Sequence, residues 1–242
     1  SQFLHKTTDK GATWQIISPD LTTNNPEHQK QDYGGLTIDA SGAEIYNSIL
    51  SIAPSKLDNK IIWVGTDDGN VQLTQNGGQT WSNLTANIKG LPKESWIAQI
   101  QASRFNKGEA WVVANNYRKG DYSPYLYRTK DFGKTWQRVV DDVKVKGYAL
   151  SAIQDPVEPK LIFLGTENGL FVSVDEGKNY TRWTNGYPAG VPSMDLVIHP
   201  REHDLVVGTF GRAVYVLDDI RPLRAMAKNG ASILDKKLHL FT

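Results

Sequence analysis

Short apolar runs closed by polar turns recur along this chain at 61–65, 110–115, 161–165 and 205–208. Each is rich in β-branched or aromatic residues, the pattern of a buried strand entering a loop. A second apolar run precedes each one, at 49–53, 97–102, 149–154 and 196–199, and the turn between the two often holds a proline (Pro54, Pro156, Pro200). A third run follows each loop, as in 70–74 and 169–173. Antiparallel strands joined by short turns account for this order, and nothing in the first 219 residues has helical periodicity.

After the third run comes a repeated turn of the form Ser/Thr-x-Asp-x-Gly-x-Thr-Trp. Its copies are Thr7, Asp9, Gly11, Thr13, Trp14; Thr74, Asn76, Gly78, Thr80, Trp81; Thr129, Asp131, Gly133, Thr135, Trp136; and Ser173, Asp175, Gly177, Asn179, Tyr180. The hydroxyl and the Asp or Asn supply oxygens for turn N–H groups. The glycine takes a backbone conformation that other residues avoid, and the closing aromatic starts a fourth strand with a large apolar ring. Burial of these rings is expected, so that truncating Trp14 to alanine would cost ~3–5 kcal/mol. Asn76 and the Asn179-Tyr180 ending keep the hydrogen bonds without a uniform acid, so these positions are structural. The pattern resembles the Asp-box (BNR) repeat of sialidase-like and sortilin-like β-propellers.

Four antiparallel strands per unit make a propeller blade, and the interval from Trp136 to Tyr180 fits the ~40–45 residues of one blade. The two earlier intervals carry insertions at 115–124 and 17–49. The expected fold is an all-β propeller segment over 1–219, about four to five blades, with units near 1–17, 46–86, 96–140, 148–184 and 191–219. Residues 220–242 lose the pattern and read as an exit segment, with some helix, toward a following domain. The first unit has only its outer strands and the last lacks its fourth. Either the N-terminal hairpin completes the last blade, or the chain belongs to a larger propeller with further blades. An open fragment would also pair with a second copy.

The phrases 62–74 and 207–219, with 196–200, are similar to large bacterial proteins with sortilin N-terminal (VPS10-like) or BNR-type propellers, which often carry a glycosyl hydrolase label. That resemblance implies an exported protein, periplasmic or at the cell surface, from the Bacteroidetes or their relatives. It implies the fold more firmly than an activity, because propellers host many functions.

The 242 residues carry 27 Lys and Arg against 26 Asp and Glu, a net charge of +1. No bulk field points to nucleic acid, and no segment reaches the ~18 apolar residues that a membrane span needs. Without cysteine there is no disulfide or thiolate metal site. No cofactor or metal is expected. His199 and His203 have zinc-helix spacing, but they fall in a turn between strands. The polar loop 19–43, with Asp32 and Asp39, lacks the regular spacing of a calcium site.

In a propeller, the loops between strands 2 and 3 share one face with the loops between blades. Ligand-binding candidates on that face are Trp96, Arg118, Tyr122, Tyr187 and Arg212. The catalytic candidates are Asp67, Asp68, Glu44 and Glu167, since a glycosidase needs paired carboxyl groups. A non-catalytic binding or scaffold propeller presenting this face to a glycan or peptide is the first expectation. Part of a glycoside hydrolase, sialidase-like or xyloglucanase-like, is the alternative. An assembly factor gripping a polypeptide is the second.

Overall fold

The computed structural model describes residues 1–29 and 46–235. It is a partial β-propeller. Blade I contains β3 (Ile49–Pro54), β4 (Ile62–Thr66), β5 (Val71–Thr74) and β6 (Ser82–Asn83). Blade II contains β7 (Trp96–Ala102), β8 (Ala110–Asn116), β9 (Asp121–Thr129) and β10 (Gln137–Arg138). Blade III contains β11 (Ala149–Gln154), β12 (Ile162–Thr166), β13 (Gly169–Ser173) and β14 (Thr181–Arg182). Blade IV has three strands, β15 (Ser193–Ile198), β16 (Leu205–Thr209) and β17 (Val214–Leu217). A hairpin of β1 (His5–Lys6) and β2 (Gln15–Ile16) precedes blade I, and helix α1 (Arg221–Asn229) follows blade IV.

The middle strands read as unbroken apolar runs because both of their faces are buried. Alternate side chains of a strand point to opposite faces, so Val112 and Ala114 of β8 enter the seam with Trp63 and Leu73 of blade I. Trp111 and Val113 of the same strand enter the opposite seam with Ile162, Leu164 and Phe171 of blade III. The third seam joins Leu161, Phe163 and Leu170 to Leu196, Val207 and Ile220. Each innermost strand carries a register shift near its start, as at Ile49/Ser51 and Ser193/Asp195. A bulge of this kind bends the strand and breaks its alternation. This explains why β15 starts at Ser193 rather than at the expected 196.

The second, third and fourth repeat turns each dock on the unit before them. Trp81 Nε1 donates to the Ile17 carbonyl at 3.0 Å, behind β2. Trp136 meets Trp63 of blade I edge-on at 6.1 Å. Tyr180 packs into the seam with Trp111 and Val139 of blade II. The turn glycines press on the same positions, for a Cβ on Gly78 would collide with the Ile17 carbonyl oxygen and one on Gly133 with Leu84.

This rule corrects the expectation for Trp14. No blade lies before its hairpin among the described residues, and the ring is 62% exposed. The hairpin does not complete blade IV either. β1 and β2 pair with each other, and Leu4, Leu21 and Ile17 pack on Val64, Ile62 and Trp81 of blade I. Lacking inner strands beside it, Leu50 and Ile52 of β3 stay exposed. At the far end β17 pairs with β16 alone among the described strands, and no described blade covers the face of blade IV that carries Val197, Val214 and Val216, which are exposed.

Helix α1 follows β17 and packs at the seam between blades III and IV. Ile220, Leu223 and Ala227 cover the seam with blade III, and the Arg224 guanidinium grips the buried Asp155 carboxylate through Nε and Nη2 at 2.9 and 2.8 Å. Truncating either partner would strand a buried charge.

Candidate functional site

The face that carries the repeat turns is chemically closed. Thr7, Thr74, Thr129 and Ser173 each accept the N–H of the turn glycine at 2.9 Å. Asp9, Asn76, Asp131 and Asp175 each accept the N–H four residues on at 2.9 Å. Hydrogen bonds led by the Thr13 hydroxyl hold the Asp9 carboxyl down at about 2. Three of the turns are also tied to their own blades, Gly77 to Lys60, Phe132 to Gly108 and Glu176 to Lys160, through N–H···O bonds of 2.9 Å. All four turn glycines have positive φ, and so do Lys10, Gly77, Phe132 and Glu176 just before them. Glu176 spans the seam to Arg128 at 2.8 Å, and Arg128 is held by Glu109 at 2.6 Å. These groups hold the fold.

The opposite face is different. The segment 115–124, expected as a loop insertion, is instead an extended hairpin in which Asn116 of β8 pairs with Asp121 of β9. Gly120, at φ 77°, closes its tip. Asp121 anchors its base by accepting the Tyr125 hydroxyl at 2.7 Å and the Ser123 N–H at 3.0 Å. Burial and then the Asp121 carboxylate push the Tyr125 phenol up to about 12.

This hairpin lifts Tyr117, Arg118 and Tyr122 into a ladder of rings. Trp96, at the start of β7, donates its Nε1 proton to the Tyr46 hydroxyl at 3.2 Å. The Arg118 guanidinium carbon sits 3.1 Å from the Trp96 ring centroid and 4.4 Å from that of Tyr117. Tyr117 stacks on Tyr148 at 4.5 Å and 20°, and Tyr122 leans on Tyr148 at 6.2 Å and 49°. Glu167, from the β12–β13 turn, completes the cluster. Burial raises its carboxyl above the ordinary range, and no neighbouring carboxylate contributes. The Tyr148 phenol is raised by burial and then by Glu167. Beside the ladder, Glu94 joins Lys119 at 2.5 Å and His28 at 3.3 Å.

Four of the residues picked from the sequence, Trp96, Arg118, Tyr122 and Glu167, therefore meet in one place. Others do not. Asp67 is buried and accepts the N–H groups of Asn47 and Ser48 at 3.1 and 2.8 Å, and desolvation raises its pKa. Asp68 is buried and accepts the Thr23 N–H and hydroxyl at 2.7 Å each, together with the Thr66 hydroxyl. Both hold loops to blade I and offer no free carboxylate. Tyr187 is buried in the seam between blades III and IV, bonded to Ser193 at 2.8 Å. Arg212 lies exposed in the β16–β17 turn of blade IV, outside this ladder. Glu44 and most of the 19–43 loop lie outside the described residues. Tyr148 and His28 were not among the sequence candidates. Tyr148 directly precedes an innermost strand, in the same relation to β11 as Ser95 to β7, and that position was the signal for it.

Among the described residues no group of three or more His, Cys, Asp or Glu is gathered for a metal. No described helix is long and apolar enough to cross a membrane.

No family model matches the chain. A curated relative, the oligoxyloglucan reducing-end-specific xyloglucanase of Emericella nidulans, is 27% identical over 184 residues, covering 66% of this chain and 22% of that enzyme. The GH74 enzyme of Niastella koreensis superposes on 72% of this chain and 29% of its own, with a TM-score of 0.55 at 13% identity. The GH74 xyloglucanase of Xanthomonas campestris covers 74% of this chain and 30% of its own, with a TM-score of 0.53 at 14% identity. At these identities the structural likeness shows the propeller fold, and the chain spans less than a third of the length of each protein.

Proposed function

We propose that this chain is a propeller portion of a larger exported, carbohydrate-acting protein and that its ring ladder holds a glycan without cleaving it. The observation that carries this reading is the ladder of Trp96, Tyr117, Tyr148 and Tyr122, built from a raised hairpin of blade II and the residues that open β7 and β11. Aromatic surfaces with a few placed polar groups suit sugar rings, which offer an apolar C–H face and a polar hydroxyl edge. Tyr122 is 57% exposed and offers its ring to a ligand. The sequence likeness to a xyloglucanase supports the ligand class.

A hydrolase is the second reading, favoured by one observation. Glu167 is partly buried with a raised pKa, as a general acid requires. Glycosidases pair such an acid with a second carboxyl group ~5–5.5 or ~6.5–9.5 Å away. Asp67 and Asp68 are committed to loop N–H groups, and Glu94 to Lys119 and His28. The acid has no free partner among these candidates, so binding is the better reading.

Calorimetric titration with a panel of plant-wall oligosaccharides tests the proposal. Tyr122→Ala and Tyr148→Ala should weaken binding at least tenfold, with thermal stability retained in Tyr122→Ala. Release of new reducing ends by the wild type, abolished in Glu167→Gln, would replace the binding reading with the hydrolase one. Unchanged affinity in both tyrosine variants would remove the ladder from the site.

A further inference from the structure

Arg118 differs from the five arginines of the fold that are held in ion pairs. Arg128, Arg138, Arg201, Arg221 and Arg224 all lie against a carboxylate. Arg118 has no ion pair or hydrogen bond among the described residues, although it is exposed and close to Glu94 in the fold through its neighbour Lys119. Its guanidinium instead lies over two rings, Trp96 at 3.1 Å and Tyr117 at 4.4 Å. Both rings are themselves held, Trp96 by the Tyr46 hydroxyl and Tyr117 by its stack on Tyr148.

That arrangement has a chemical consequence. A guanidinium stacked on rings uses its flat surface for them and leaves the N–H fork in its plane free to donate. The fork matches the two oxygens of a carboxylate in bidentate fashion. Its long side chain is already ordered, so less freedom is lost when the anion arrives. The adjacent cation, Lys119, is paired with Glu94, whereas Arg118 has no ion-pair partner among the described residues.

Resting on the glycan reading above, we infer that Arg118 receives the carboxylate of an acidic sugar, so that the ligand is a uronate-containing glycan. A uronosyl residue presents a carboxylate for the fork, a C–H face for the exposed Tyr122 ring and hydroxyl groups for Glu167. Glu167 and Arg118 both lie near enough to Tyr148 to act on its phenol, which places the two ends of the proposed site in one cluster.

The test uses hexagalacturonate, its fully methyl-esterified form, a neutral xyloglucan heptasaccharide and a hexa-aspartate peptide, each titrated into the whole chain. Hexagalacturonate should bind, and the ester, which keeps the sugar and loses the charge, should bind at least tenfold more weakly. Arg118→Gln should erase that difference. Arg118→Lys should restore only a small part of it, because an ammonium lacks the planar fork. Melting temperatures of both variants report whether the ladder still stands, and Tyr122→Ala gives an independent readout should Arg118→Gln unfold. Equal binding of acid and ester, or full affinity in Arg118→Gln, overturns the inference. If the neutral heptasaccharide binds and depends on Tyr122 but not on Arg118, the glycan reading stands and the acidic ligand falls. If only the peptide binds, both fall.

Discussion

Gly78 and Gly11 occupy the same position in two copies of one turn, yet alanine should be tolerated at one and not at the other. Their φ angles are +99° and +94°, so the backbone strain of an L-residue is alike, about 1–2 kcal/mol. Loss of freedom in the unfolded chain returns about 0.4–1 kcal/mol in each case. At Gly11 the added methyl meets nothing nearer than the Trp14 ring at 3.9 Å, so Gly11→Ala should cost about 1 kcal/mol. At Gly78 the methyl collides with the Ile17 carbonyl oxygen. That oxygen cannot turn away without losing its 3.0 Å bond from Trp81 Nε1. Overpacking of this kind adds about 1–3 kcal/mol. For a chain of this size each kcal/mol lowers the melting temperature by about 2–4 °C. Thermal unfolding followed by near-ultraviolet circular dichroism should therefore place Gly78→Ala several degrees below Gly11→Ala. Equal melting temperatures would refute the docking of each turn on the blade before it.

The same rule separates two tryptophans. Trp136→Ala, which removes a ring packed on Trp63, should cost about 3 kcal/mol, whereas Trp14→Ala should stay within about 1 kcal/mol because its ring is mostly in solvent; chemical denaturation of both variants decides it. Acid should weaken the fold below about pH 4. Hydrogen bonds led by Thr135 depress the Asp131 carboxyl in the folded chain, and Arg128 does the same for Glu176. The unfolded chain therefore takes up protons first, so this stability is complete above the unfolded pKa and is lost as pH falls toward the folded one. Asp131→Asn should fold well at neutral pH, since Asn76 makes the matching bonds in blade I, and should lose less stability between pH 5 and 3 in a denaturant series. The open ends should drive concentration-dependent association of the isolated chain. Lysines replacing Ile52 and Val216, both exposed apolar residues, should reduce it in light scattering, and a monodisperse wild-type monomer at high concentration would count against it.

Much of this protein is local. The hydrogen bonds of each repeat turn run between residues two to four apart, and the strands alternate between two buried seams, so turn, strand order and the parity of the loops follow from the sequence. What lies between blades does not. The partner of Trp81 is Ile17, and the partner of Trp136 is Trp63, and only the packed structure reveals that each ring faces backward and that Trp14 is left in solvent. The sequence marked Asp67 and Asp68 as candidate catalytic carboxylates, but Asn47, Ser48 and Thr23, far along the chain, draw them into structural hydrogen bonds. It marked Trp96, Arg118, Tyr122 and Glu167 as separate candidates. Their meeting depends on two blades standing side by side and on a hairpin long enough to reach across, a matter of distance in space rather than of spacing along the chain.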